Sequence, residues 1–368
     1  MKFCLVVPEE FKTHWQSHPF EISGLLQWQR ALDGDIRTIN EDLTPYDTIM
    51  TNVSSTESEY ISLIRQENPS CKIVACFDYG FGVVNQYFTT LERVKQVMSR
   101  ADVLFSVNQN QRDWMKVLLP DRDIHYIPHP TDIDNMLRFR RPREARVPDS
   151  VAYMVHQYDI QQVQGLEVLK AVERKLKRKL RKSIVGVKSR VWKNHGHCHP
   201  QDLPQCPYGK PPVMMPAYSW PIVPPDYPDE KLRGTPLDPE LPGLIEHVPQ
   251  GVGWDIVIPY FGVEQWYSFL SENYVALDLY TVDSIGRFGM DCAGVGVPLV
   301  ASDKQDSSKL LYPLTHVDPF DPEAAVNFVA KLFKDENFYT RVENIAMKNL
   351  QNYSFAKSKE RMMRALES

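Results

Sequence analysis

Residues 254–302 read WDIVIPYFGVEQWYSFLSENYVALDLYTVDSIGRFGMDCAGVGVPLVAS, and this stretch decides the fold. Trp254–Ile258, Val275–Leu279 and Pro298–Ser302 are short apolar runs of strand length. Val263–Glu272 and Gly289–Gly294 have helical spacing between them. Strands separated by helices imply parallel βαβ units, with helices covering the faces of a sheet. Between the second strand and the helix after it lies a loop holding Asp283, Ser284, Ile285, Gly286 and Arg287, with Asp291 following inside the helix. A strand-to-helix turn presents unpaired backbone N–H groups and the positive end of a helix dipole, a natural seat for a diphosphate. Flanking carboxylates can accept hydrogen bonds from the vicinal hydroxyls of a sugar or a ribose. Taken singly, Asp283 reads equally as a turn opener and Asp291 as a helix cap.

The alternation extends outward from this stretch. Lys2–Val7, Thr48–Val53, Lys72–Phe77, Asp102–Val107 and Ile124–Ile127 read as strands. Ser23–Leu32, Glu57–Gln66, Thr90–Arg100 and Gln109–Leu118 read as helices. The expected division is 1–137 as a Rossmann-like acceptor-side domain and 138–150 as a charged, proline-containing linker. A second Rossmann-like domain follows over 151–353, and 354–368 forms a closing helix. In the second domain Val151–Val155 is read as strand, Gly165–Arg181 as helix and Ile184–Val191 as strand. Periodicity then fails: residues 192–251 hold 14 of the chain's 28 prolines and read as an insert. Helices at Pro322–Lys334, Phe338–Gln351 and Ser354–Leu366 complete the chain.

Residues 254–302 resemble the donor-binding region of retaining GT-B glycosyltransferases, the large family 4 and its relatives. Members carry two glutamates eight positions apart around a glycine turn, then a helix ending in G-x-P-V-V-A-S. Gly296-Val297-Pro298 matches the G-x-P, which sets Asp283 and Asp291 on the two glutamates and Gly286 on the second turn glycine. Ala101–Asp134 is similar to another stretch of the family, with His129-Pro130-Thr131-Asp132 where members have N-G-V-D. Gly24 stands in the place of the family's glycine loop. The resemblance covers most of the chain except the insert. It implies a GT-B fold, two Rossmann-like domains facing a central cleft with the C-terminal helix returning toward the N-terminal domain. It further implies sugar transfer from a nucleotide sugar, a UDP-sugar above all, with retention of configuration and no required cofactor. By the same resemblance Asp283 contacts the transferred sugar, Asp291 the nucleotide ribose, and Arg287 neutralises phosphate charge. The family's phosphate-binding Arg and Lys are missing: His156 or Gln157 stands near the first and Gln164 at the second. Lys188, Arg190 or Lys304 are the substitutes on offer, and a catalytically inactive nucleotide-sugar or glycan-binding protein is the alternative.

Three further features invite chemistry. Asp78 follows a strand in IVACFDYGFG, near the family's characteristic histidine; it is a candidate base or acceptor contact, or simply an Asx-turn former. His195, His197, Cys198, His199 and Cys206 are competent ligands for a structural zinc, although their spacing matches no standard finger. Residues 169–183 hold eight Lys or Arg, with Val168, Val172, Leu176 and Leu180 on one face, so they are read as a basic amphipathic helix. Such a helix is either a solvated face or a surface for an anionic acceptor, whether a nucleic acid or a membrane-associated glycan. Trp192, Tyr208, Tyr218 and Trp220 in the adjacent insert are candidate stacking groups.

Composition bounds these readings. At 368 residues, 43% hydrophobic and 24% charged, the chain is globular and long enough for two cores. A net charge of −5 excludes a globally basic nucleic-acid binder. No apolar run approaches a membrane span, and MKFCLVVPEE turns acidic too early for a signal peptide, so a cytoplasmic protein with free thiols is expected. No G-x-G-x-x-G follows the first strand, which argues against a Rossmann dehydrogenase.

Overall fold

The computed structural model describes residues 1–9, 12, 24–52, 60–77, 95–96, 98–154, 159–185, 256–258 and 263–368. In the N-terminal half these form β1 (Phe3–Val6), α1 (Gly24–Leu32), β2 (Asp35–Arg37), β3 (Thr48–Asn52), α2 (Tyr60–Glu67), β4 (Lys72–Phe77), β5 (Val103–Ser106), α3 (Gln109–Leu118), β6 (Ile124–Tyr126) and α4 (Ile133–Leu137). The six strands make one parallel sheet in the order β2-β1-β3-β4-β5-β6. Parallel strands are covered on both faces, and alternate residues go to opposite sides. Cys4, Val6, Ile49, Ile73, Ala75 and Phe77 accordingly pack with Ile61 and Ile64 of α2 and Met115 of α3. Phe3, Leu5, Met50, Val74, Cys76 and Phe105 face the other way, onto Leu26 and Trp28 of α1.

The C-terminal half begins with β7 (Val147–Met154), α5 (Asp159–Leu176), β8 (Arg181–Val185), β9 (Ile256–Ile258), α6 (Val263–Glu272), β10 (Asn273–Asp278), α7 (Arg287–Val295) and β11 (Leu299–Ser302). It continues with α8 (Asp306–Leu311), β12 (His316–Val317), α9 (Pro322–Lys334), α10 (Glu336–Leu350) and α11 (Phe355–Glu367). Its parallel sheet has the order β12-β11-β10-β7-β8-β9. Successive strands leave β7 first on one side and then, from β10, on the other. The switch point therefore lies between β7 and β10, where ligands of doubly wound sheets bind.

Helix starts are set by short polar side chains: Asn108, Asp321, Asp335 and Ser354 each accept a backbone N–H of the first turn. Each such cap is worth about 1 kcal/mol. The last of these helices, α11, leaves the C-terminal half and returns to α1. Met362, Ala365 and Leu366 complete the core that holds Phe3, Leu5, Trp28 and Phe105, and Lys72 Nζ donates to the Leu366 carbonyl. The arginine-rich segment expected as a linker is a strap bound to the C-terminal half. Arg140 pairs with Glu343 at 2.9 Å, Arg141 with Glu272 at 3.0 Å and Arg143 with Glu336 at 2.7 Å. The buried Arg146 reaches the Tyr339 hydroxyl.

The basic helix expected over 169–183 is corrected by the structure. Helix α5 stops at Leu176, Lys177 turns the chain with φ of 56°, and Arg181 and Lys182 open β8. Glu173 stops the helix by accepting both the Leu180 N–H at 2.9 Å and Lys182 Nζ at 2.7 Å, and Leu180 enters the core. The cations are thus divided among helix, turn and strand. Arg178 is paired with Asp149 and Lys170 with Glu167. Among the described residues no helix is long and apolar enough to cross a membrane. The described cysteines Cys4, Cys71, Cys76 and Cys292 are free and buried.

Candidate functional site

At the C-terminal end of β10 the chain runs through 279–286 into α7, at the switch point of the second sheet. Gly286 makes this turn possible. It is the N-cap of α7 with φ of 77°, a conformation that side-chain-bearing residues rarely adopt. A Cβ there would lie 2.5 Å from Ser307 Oγ. Gly286 supplies no capping side chain, so the first-turn amides of α7 receive none.

The turn is fixed from behind by residues 304–307. Ser284 N donates to the Lys304 carbonyl at 3.2 Å, Asp306 N to Ser284 O at 3.0 Å, and Ser307 N to Ile285 O at 3.0 Å. Ser307 Oγ donates to Gly286 O at 2.6 Å. Deeper still, Asp278 at the end of β10 accepts Gln305 Nε2 at 2.7 Å and the Tyr280 N–H at 3.1 Å, and Ser308 Oγ donates to Gln305 Oε1 at 3.2 Å. Asp278, Gln305, Ser307 and Ser308 have no exposed surface. A buried polar network this fully satisfied holds its members in one geometry.

The two acidic residues picked from the sequence part company here. Asp283 is exposed, and its Oδ1 accepts the Asn110 amide of α3 at 2.9 Å, across the boundary of the two halves. Asp291 is buried, 2% exposed. Its Oδ2 accepts Trp266 Nε1 at 3.0 Å and its Oδ1 accepts Arg287 Nε at 3.3 Å. Burial raises its pKa to about 6, against the opposing pull of Arg287. The ribose contact implied for Asp291 is therefore not what this geometry provides, because the carboxylate is occupied inside the protein by α6 and by its own helix.

Arg287 extends from the turn toward the N-terminal half. Its Nη1 donates to the Pro130 carbonyl at 3.3 Å, while the buried Nη2 has no hydrogen-bond partner. Beside Pro130, the His129 ring accepts Trp28 Nε1 on Nδ1 at 3.0 Å and packs so tightly on Gly24 that a Cβ there would lie 2.3 Å from it. Gly24, His129, Pro130, Arg287 and Asp291 thus form one continuous line of contact. Asp132 caps α4 and pairs with Arg30 of α1 at 2.6 Å. Ile285 packs against the cores of both halves.

A second line of contact was not found by sequence reasoning. Asp306, 8% exposed, accepts the backbone N–H of Gln109 in the first turn of α3. Burial and the neighbouring Asp283 and Asp113 raise its pKa. Its only sequence signal is an acid at the head of a short helix. Gln164, where the family carries a phosphate lysine, donates its amide to the Pro319 carbonyl. Asp78, Lys188, Arg190 and the His195, His197, Cys198, His199, Cys206 group lie outside the described residues. Among the described residues no group of three or more His, Cys, Asp or Glu is arranged to hold a metal ion.

No family model and no curated sequence matches the chain. Solved structures match its fold along the full length. An alpha-glucosyltransferase in complex with UDP and a 13-mer DNA containing a HMU base superimposes with a TM-score of 0.63 at 12% identity, covering 100% of both chains. An alpha-glucosyltransferase in complex with UDP-glucose and DNA containing an abasic site gives 0.61 at 12% identity, covering 100% of this chain and 99% of the other. Sucrose-phosphate synthase from Thermosynechococcus elongatus gives 0.63 at 13% identity, covering 100% and 98%. At these identities the likeness is one of fold, and the fold is GT-B, as the resemblance implied.

Proposed function

We propose that this chain transfers a sugar from a UDP-sugar to an acceptor hydroxyl, with retention of configuration, in the crevice beyond β10. The observation that carries the proposal is the Gly286 turn: a left-handed glycine N-cap without a capping side chain, flanked by Arg287 and the exposed Asp283, at the switch point of a GT-B fold. The diphosphate would sit on the amides of α7, with Arg287 contributing positive charge. Asp283 would accept hydrogen bonds from the sugar. Departure of the diphosphate breaks the anomeric C–O bond, and the acceptor oxygen bonds to the same carbon as its proton passes to the leaving phosphate. Stabilising that leaving group with a prepared dipole is the main source of rate in such a site. Asp291 serves as a positioning residue that holds Arg287. On this reading residues 1–137 are the acceptor-side domain, and the strap from 138 belongs with the donor-side domain that runs to 353 before the closing helix.

For the acceptor we favour a hydroxymethylated base in DNA, because two of the full-length fold matches were solved on DNA. The test of the whole reading is a thermal-shift screen with UDP and UDP-glucose, followed by transfer to an oligonucleotide carrying 5-hydroxymethyluracil. UDP should raise the melting temperature of the wild type and not of Gly286→Ala. The absence of any UDP-dependent shift would dismiss the donor site. The second reading, a binding protein without turnover, draws on Gln164, whose amide is bound to Pro319 rather than placed as a cation; UDP binding without transfer or hydrolysis would select it.

A further inference from the structure

Asn110 is the second residue of α3 and belongs to the N-terminal half, yet its side-chain amide donates to Asp283 Oδ1 at 2.9 Å in the donor-side turn. The contact is backed by one residue that holds the neighbours of both partners. The Asp306 carboxylate accepts the backbone N–H of Gln109, next to Asn110. The Asp306 N–H donates to the carbonyl of Ser284, next to Asp283, at 3.0 Å. On the far side of Asn110, Gln111 is buried; its N–H donates to Asn108 Oδ1 at 3.0 Å and its Oε1 accepts Ser106 Oγ at 2.7 Å. Asn110 is therefore carried on a backbone held at 109 and at 111. Asp283 is exposed on a loop, where a side chain turns among its rotamers unless a partner holds it.

We propose that Asn110 is a positioning residue for sugar transfer, holding the Asp283 carboxylate with Oδ1 engaged and Oδ2 presented to the hydroxyls of the sugar. The inference rests on the donor site proposed above and adds to it a residue from the acceptor-side half. Two properties suit an amide to this task. It is neutral, so it orients the carboxylate without cancelling the charge that a developing positive centre at the anomeric carbon requires; a Lys or Arg there would orient it and neutralise it. It occupies one of roughly four lone-pair sites on the carboxylate and leaves the second oxygen whole. Because Asn110 and Asp283 belong to different halves, the carboxylate is aligned only while the halves are together, and both sheets then contribute to the grip on the sugar.

The experiment uses the full chain and measures release of UDP from UDP-glucose, together with the melting-temperature shifts given by UDP and by UDP-glucose. Asn110→Ala should lower kcat roughly tenfold, within the range of a misaligned reacting group. It should leave the melting temperature of the free protein and the shift with UDP at wild-type values, since UDP carries no sugar for Asp283 to hold. The increment of UDP-glucose over UDP should disappear. In an Asp283→Ala background the same replacement should change kcat by less than about twofold, because a residue acting through Asp283 has nothing left to align. The proposal alone is overturned if Asn110→Ala turns over like the wild type or faster, the latter showing a contact that blocks Asp283, or if the two losses multiply in the double variant. A wild type with no UDP-induced shift overturns it together with the donor site. If the wild type binds UDP without releasing it from UDP-glucose, the increment decides: its persistence in Asn110→Ala, or its absence from the wild type, overturns the proposal.

Discussion

The carboxyl edges of the two sheets are built in opposite ways. In the C-terminal half, Asp278, Gln305 and Ser308 are linked by side-chain hydrogen bonds behind the turn, and Ser307 bonds separately to the Gly286 carbonyl. In the N-terminal half, Thr51 Oγ1 and Asn52 Oδ1 at the end of β3, and Asn108 Nδ2 and Gln111 Nε2 after β5, are buried with no hydrogen-bond partner. A satisfied buried network specifies one geometry; an unsatisfied one costs stability without fixing anything. The difference teaches where prepared geometry resides in this molecule. The side that would hold a diphosphate is closed by protein hydrogen bonds, whereas the opposite side leaves these four polar atoms open even though Asn108 Oδ1 and Gln111 Oε1 are bonded to Gln111 N and Ser106 Oγ.

Substitutions can challenge this contrast. Asp283→Asn should lower transfer by at least about a hundredfold, the scale of losing a prepared electrostatic contact, with an unchanged melting temperature because the side chain is exposed; a turnover within a few-fold of wild type would remove Asp283 from the donor site. Gln305→Leu should cost about 3 kcal/mol in denaturant unfolding, because it strips a partner from the buried Asp278. A loss under 1 kcal/mol would show that the network is not tight.

Asp291 gives a pH-dependent prediction. Its folded pKa is raised from 3.8 to about 6, so the folded state binds the proton more strongly than the unfolded chain does. Its contribution to stability is complete below about pH 4 and is lost as the pH rises to about 6. Asp291→Asn, which cannot ionise, should therefore gain on the wild type across that window by up to about 3 kcal/mol. A pH-independent difference between the two proteins would contradict the burial. Smallest of all, Thr51→Val on the unsatisfied edge should be neutral or stabilising by about 1 kcal/mol in the same unfolding measurement; a clear destabilisation would mean that Thr51 Oγ1 has found a partner.

Most of the architecture was legible in local pattern. The helix at Gln109–Leu118 and the strand at Lys72–Phe77 lie where periodicity and flanking residues set them. The elements that escaped, β2, α4, α8 and β12, are too short to show a period. The basic run misled because Leu180 continues the four-residue spacing of Val172 and Leu176. What ends the helix is Glu173 binding groups beyond its own turn, and spacing carries no trace of that. The candidate site could be picked out as a stretch of sequence, but its side-chain orientations could not. The eight-residue separation located Asp283 and Asp291, but whether each faces outward depends on Trp266, Arg287 and Asn110. Asn110 is 173 residues from Asp283 in sequence. Asp306 went unnoticed because its partner, Gln109, is 197 residues away.

The return of α11 has a consequence for biosynthesis. Lys72 and Leu366, joined through a side chain and a carbonyl, are 294 residues apart, so the helix that finishes the first core is made long after the strands it covers. Until it emerges, one face of the earliest strands, around Phe3, Leu5 and Phe105, lacks part of its cover. The nascent polypeptide must carry that greasy surface while the whole second sheet is synthesised. Ribosome stalling or a premature stop upstream of Phe355 should leave a product that clumps, even though every residue of the first sheet has already been joined.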